Sequence, residues 1–223
     1  MCKIEEKKKF QEFRYYKNAL SNKADYDYVM CMKWWCLMDA ASREESSTMM
    51  AWLDFGYNHG GERYVNSKDF NFTWDFDFPE KINVFCLSNP DDMCAIDSLQ
   101  FQADCFIGHT AVMPAKLCDI FYKYIREAMF SLIALDCIDD DQQLELMVYK
   151  RYPDLFNVTI CSWFEDMELC SYHDFDVKEK KKEASGKKWL NIKQAIGRAV
   201  YRLTSNDDFI RRSKERKKLY IKS

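Results

Sequence analysis

Apolar and polar positions alternate along this chain in blocks that change period several times. Residues 3–20 read as a charged helix that turns Phe10, Phe13 and Tyr15 or Tyr16 inward, and "SNKAD" (21–25) breaks it. The next segment, "YDYVMCMKWWCLMDAAS", is apolar nearly all round and too long for a strand, which predicts a largely buried helix. After the polar link "SREESS" comes "TMMAWLD", a short and fully buried strand, followed by a loop-like stretch over 57–79. "KINVFCLS" predicts a second apolar strand, and "LQFQADCFIGHTAVM" one or two more.

Pro114 suits the first turn of a long helix over 114–135, with Leu117, Ile120, Phe121, Tyr124, Ile125, Ala128, Met129 and Leu132 on one side. "CIDDDQ" interrupts the pattern. A helix from Gln142 to Tyr152 then runs up to Pro153, and "LFNVTICSWF" predicts a late strand. Strands that alternate with helices and lack polar alternation imply a sheet covered on both faces, hence an α/β class. Residues 1–175 form the expected α/β domain, and 176–223 a basic linker and tail. In the tail, Trp189, Ile192, Ile196, Ala199, Val200 and Leu203 recur at helical spacing among Lys and Arg, which predicts an amphipathic helix. Its apolar stripe would dock on the acidic body or lie on an anionic membrane surface.

Composition narrows the class further. The 223 residues are 48% hydrophobic and 16% aromatic, enough for a sizeable core. No stretch approaches the roughly 20 consecutive apolar residues that a bilayer-spanning helix needs. "MCKIEEKKKF" has no apolar run behind its charges and so does not read as a secretory signal, and a cytoplasmic location is expected. The ten cysteines include no CxxC pair and mostly keep apolar company, as structural thiols do. Charge is uneven: 176–223 holds 16 Lys and Arg against 6 Asp and Glu, so the rest of the chain is strongly acidic. An acidic body suits cations and repels nucleic acid, so no nucleic-acid partner is expected.

Three segments carry candidate chemistry. Asp54 ends an apolar strand and opens the loop "DFGYNHGG"; Gly56 there permits close backbone approach. A carboxylate in that place could face a ligand beyond the strand end, or cap a turn and pair with a neighbouring base. In "CIDDDQQLELM", Asp139, Asp140 and Asp141 precede a helix, where one acidic residue is favoured by capping and the dipole but three repel one another. In "FIGHTAVM", Gly108 and His109 are expected to follow a buried strand. His59 and His173 are the remaining imidazoles, and "CSYHDFD" could bring His173 to a metal.

Together, "AWLDFGYNHGGERY", "FPEKINVFCLS", "AIDSLQFQADCFIG" and "LDCIDDDQQLELMVYKRYPDLFN" resemble the HtrL/YibB family of WlaTC-like bacterial glycosyltransferases. The resemblance runs from about residue 25 to about residue 170, in matching order. It implies a GT-A-like mixed, mostly parallel sheet flanked by helices, a nucleotide-sugar donor, and Mn²⁺ or Mg²⁺ as cofactor. The acceptor it implies is a glycan or glycolipid of lipopolysaccharide or lipooligosaccharide type, with hexosyl or N-acetylhexosaminyl transfer at the cytoplasmic face of the inner membrane. On the family pattern, Asp54 stands for a DxD-like carboxylate, with Gly56 in place of the second acidic residue. Asp54 and His173 would hold the metal, and Asp54, Gly56, His59 and Gly108 would line the donor site. Asp140, Asp141 and Gln142 match a D-D-Q element on the sugar or acceptor side, where a carboxylate could deprotonate an acceptor hydroxyl. The family pattern also implies a strand–helix–strand block ahead of Trp52. Too few residues precede Trp52 to hold it, so the sheet is expected to be N-terminally incomplete. A truncated pseudoenzyme that binds a partner or membrane is the alternative.

Overall fold

A computed structural model of the chain describes residues 23–57, 73–74, 76–101, 104–163 and 165–172. The expected helix at 3–20, His59, His173 and the basic tail lie outside the described residues. In chain order the elements are α1 (Ala24–Ala41), β1 (Met49–Leu53), β2 (Thr73–Trp74), β3 (Ile82–Cys86), α2 (Ala95–Phe101), β4 (Phe106–Pro114), α3 (Ala115–Ala134), α4 (Asp141–Arg151), β5 (Phe156–Ile160), α5 (Asp166–Cys170) and β6 (Ser171–Tyr172), with 3₁₀ turns at Pro90–Asp92 and Pro153–Leu155.

Four strands form the main sheet in the order β1-β4-β3-β5. β4 is antiparallel to both β1 and β3, and only β3 and β5 run parallel. The sheet is therefore mixed, as expected, but two of its three strand pairings are antiparallel, so it is not mostly parallel. Apolar periodicity reports which faces are buried but carries no strand direction, so the parallel expectation rested on the resemblance. A separate antiparallel pair, β2 with β6, lies partly within the stretch read as loop.

β4 explains the sequence best. All nine of its residues are buried. Adjacent side chains enter different clusters: Phe106 joins the main core, while Ile107 packs with Phe85 beside Phe78, Cys161 and Trp163. Both faces of the sheet are covered, so the strand has no polar alternation to show. Gly108 and His109 lie within this strand rather than after it, and Ala95–Phe101 is a helix. Pro114 ends the strand as the N-cap of α3, where its missing N–H leaves no helical bond unmade.

The main core forms where α1 and α3 meet the sheet. Phe121 of α3 packs edge-on to Trp34 of α1 at 4.8 Å and to Phe156 of β5 at 5.9 Å, and Tyr149 of α4 reaches Phe156 at 5.4 Å. Burying a ring of Phe121's size is worth about 2–3 kcal/mol. Cys118, Phe121, Ile125, Ala128 and Leu132 are the buried stripe of α3.

α1 departs from expectation. It buries one face, made of Ala24, Asp27, Cys31, Lys33, Trp34, Leu37 and Ala41, while Tyr28, Val29 and Trp35 are exposed. β1 is not fully buried either: it is an edge strand of the described sheet, paired on one side, and Met49 is exposed. The eight described cysteines assigned a state are free thiols, in line with a structural role. Among the described residues no helix is long and apolar enough to cross a membrane.

Candidate functional site

The buried face of α1 carries a lysine where an apolar residue would ordinarily sit. Lys33 is 3% exposed, and its ammonium donates to the backbone oxygen of Gly108 and to Asp141 Oδ2. Burial works against that charge, but Asp141, Glu145 and Asp54 outweigh it and push the Lys33 pKa upward. The pair ties three distant pieces of chain together: α1, the middle of β4 and the first turn of α4.

Gly108 is required by this junction. A Cβ there would lie 2.8 Å from Asp141 Oδ2, 3.1 Å from Gln142 Cγ and 3.4 Å from Lys33 Nζ. Gln142 adds a second tie, with its Nε2 donating to the Phe106 carbonyl at 2.8 Å. The start of α4 is thus fastened to β4 directly by Gln142 and, through Lys33, by Asp141.

The three consecutive aspartates are all buried, and the helix starts at Asp141 with Asp140 as its N-cap residue. Asp140 makes no capping hydrogen bond through its side chain. Its Oδ1 is buried without a hydrogen-bond partner, while its backbone N–H donates to Asp139 Oδ1 at 3.0 Å. Simple capping therefore does not account for Asp140. Burial first, then Asp141, Asp139 and Asp27, push its carboxyl well above the usual range. Burial also raises Asp141, with Lys33 opposing, and raises Glu145 well above its ordinary value.

Asp54 sits one residue beyond β1. Its backbone N–H continues the ladder to the His109 carbonyl at 2.9 Å, and its carbonyl accepts from Tyr57 N at 3.0 Å, closing a turn. The half-buried side chain accepts from Trp52 Nε1 and lines a cleft. The backbone serves the turn while the carboxylate faces the opening. Gly56 also lines it, but a Cβ there would meet nothing within 4 Å, so neither space nor backbone conformation demands glycine.

That open cleft, of about 710 Å³, gathers Asp54, Gly56, Gly108, Asp140, Asp141 and Gln142, with Trp52, Phe55, Tyr26 and Trp163 as aromatic walls. Every described residue assigned from the sequence to the donor or acceptor side is in it. Lys33, Glu145 and Asp27 were missed. The signal for Lys33 was present, since one cation inside "VMCMKWWCLM" must find a buried anion. His109 also lines the cleft, its Nε2 2.8 Å from Asp166 Oδ2. Among the described residues no three His, Cys, Asp or Glu side chains converge as metal ligands, and Asp141 is already engaged by Lys33. The described residues thus form no three-ligand cage for Mn²⁺ or Mg²⁺; Asp54 and Asp140 are the cleft-lining carboxylates not paired with Lys33.

The buried cluster fixes a pH dependence. Asp140, Asp141 and Glu145 all have folded pKa values raised above their unfolded ones, near ~4. Their favourable contribution is complete below about pH 4 and is lost as pH rises through the folded values. Calorimetry should show the melting temperature climbing as pH falls from about 8 to about 5; a falling one would contradict a buried, proton-holding cluster.

Residues 3–171 match the family described as a bacterial protein of unknown function, HtrL_YibB, and the chain belongs to that family. It is 30% identical over 128 residues to Protein HtrL of Escherichia coli (strain K12), an alignment covering 52% of this chain and 42% of that protein. The chain thus spans less than half the length of that curated relative. No solved structure matches the chain.

Proposed function

We propose that this HtrL/YibB family member is a glycosyltransferase that binds a nucleotide-sugar donor in the cleft beside Asp54. The acceptor would be a hydroxyl of a glycan or glycolipid of lipopolysaccharide or lipooligosaccharide type. The supporting observation is convergence: Asp54 after β1, Gly108 in β4 and Asp140–Gln142 at the head of α4 are far apart in sequence yet share one cleft. Its volume suits a ligand of nucleotide-sugar size, since small-molecule sites commonly span about 300–1,000 Å³. Aromatic walls offer flat faces for a base or a sugar ring, and the carboxylates offer acceptors for hydroxyls.

In this reading Asp54 lies on the donor side and the aspartates at the head of α4 on the acceptor side. Asp54 would be the residue to hold Mn²⁺ or Mg²⁺, whose charge would favour departure of a diphosphate. The protein's own contribution is placement: Lys33 and Gln142 fix the head of α4 against β4, so the acidic groups keep one position relative to Asp54. The expected location is the cytoplasmic face of a membrane bearing the acceptor, with peripheral contact through the basic tail.

Thermal unfolding in the presence of UDP and UDP-sugars, with Mn²⁺ or with EDTA, tests the donor site. A ligand that binds only the folded state raises stability by about 2.7 kcal/mol at 100 times its Kd. At millimolar UDP-sugar the melting temperature should rise by several degrees in the native chain and fail to rise in D54N. An unmoved native protein across the nucleotide series would remove the donor site from this cleft.

A further inference from the structure

The floor of the cleft holds two neighbouring carboxyl groups in different circumstances. Asp141 is buried, flush against Gly108, with Oδ2 on the Lys33 ammonium. Asp140 borders the same cleft, is 8% exposed, and its buried Oδ1 has no hydrogen-bond partner. Gln142 has its amide nitrogen committed to the Phe106 carbonyl, and Glu145 is buried without lining the cleft.

We infer that Lys33 divides the work between the two aspartates: it holds Asp141 as a fixed carboxylate that positions the head of α4, and leaves Asp140 as the proton acceptor for the incoming hydroxyl. This deepens the transfer reading and rests on it. In the step concerned, the acceptor oxygen forms its bond to sugar C1. The C1–O bond to the diphosphate breaks, with its electron pair leaving on the diphosphate. The hydroxyl proton passes to the Asp140 carboxylate, which borders the cleft. Asp141 cannot serve, because taking a proton there would abolish the ion pair that anchors α4 to α1 and β4.

The charges around the pair agree. Facing Asp140 are Asp141 and Asp139 from its own segment, Asp27 from α1 and Asp104 ahead of β4, all of which favour its protonated form beyond the effect of burial. Facing Asp141 are Lys33 from α1, which favours its ionised form against burial, and Asp54 beyond β1. Glu145, one turn further along α4, is pushed up by burial and by Asp141 and Asp54, and lowered by Lys33. A lysine on one carboxyl and none on its neighbour separates their roles, and the carboxyl that burial and its acidic neighbours push well above the usual range is the one matched to accept a proton.

The experiment follows carboxyl ¹³C signals of the full chain, labelled at aspartate, from about pH 4 to 9 without any ligand, with D140N and D141N used for assignment. Asp141 is expected to titrate at lower pH than Asp140, which titrates well above an ordinary aspartate. In K33M, the Asp141 midpoint should move to higher pH. Should K33M not fold, D141N carries the test, since removal of the adjacent negative charge must lower the Asp140 midpoint. An Asp141 midpoint at or above that of Asp140 in the native chain would overturn the inference, as would an Asp140 midpoint unmoved in D141N or an Asp141 curve unmoved in a folded K33M. Because the tube holds no donor, a negative result here leaves nucleotide binding untouched. An absent thermal shift with UDP-sugars likewise leaves the division of charge intact.

Discussion

Replacing Lys33 by methionine is expected to cost about 3–5 kcal/mol of folding stability, the loss typical of stranding one partner of a buried ion pair. Methionine has similar length and fills the space, so the loss is electrostatic rather than a cavity effect. It leaves Asp141 in the interior with no cation and leaves the Gly108 carbonyl without that donor. For a chain of this size the melting temperature should drop by about 6–20 °C, at 2–4 °C per kcal/mol. A domain ordinarily holds only about 5–15 kcal/mol in reserve, so the variant sits near the edge of folding. The deficit should shrink at low pH, because a protonated Asp141 no longer needs the ammonium. In K33M/D141N both charges are gone, and most of the loss should be recovered. Equilibrium denaturation of the two singles and the double closes this cycle. If K33M costs no more than a surface substitution, or the double costs the sum of the singles, the pair is not the anchor described.

Periodicity made much of the framework legible. The long helix after Pro114, the strands around Val84 and Val158, and the helix before Pro153 all lie where apolar spacing puts them. The grouping of Asp54, Gly108, Asp141 and Gln142 rests on the family resemblance rather than on periodicity, and all four line one cleft. Direction was not legible. An apolar strand looks the same whether it runs up or down, so β4 hid two antiparallel pairings behind a parallel-looking run. The single buried face of α1 was hidden too, because Tyr28, Val29 and Trp35 are apolar yet face outward. Partnership was the deepest loss. Lys33 and Asp141 are far apart in sequence, and only the packing of α1 against α4 reveals that they neutralise each other.

The same pairing makes Asp140 the residue whose loss should cost most in turnover. Changing Asp140 to asparagine removes the proton acceptor and keeps the shape, and general-base deletions typically slow a reaction by about 10²–10⁴-fold. The rate is read as UDP release from whichever UDP-sugar raises the melting temperature of the native chain, so chemistry and binding are measured on the same ligand. Donor affinity in D140N should stay close to native, since Asp54 and the aromatic walls are unaltered. In D54N the reverse holds, with donor binding lost at the outset. The native rate should rise with pH through the elevated Asp140 midpoint, because only the ionised form accepts a proton, and that rising limb should vanish in D140N. The neutral amide in turn replaces a buried group that favours its neutral form, so D140N should be no less stable than native near neutral pH. A slow enzyme that is as stable as its parent and binds donor as well cannot be explained by damaged folding. If D140N turns over within about threefold of native, the proton goes elsewhere, and His109 beside Asp166 becomes the next residue to replace.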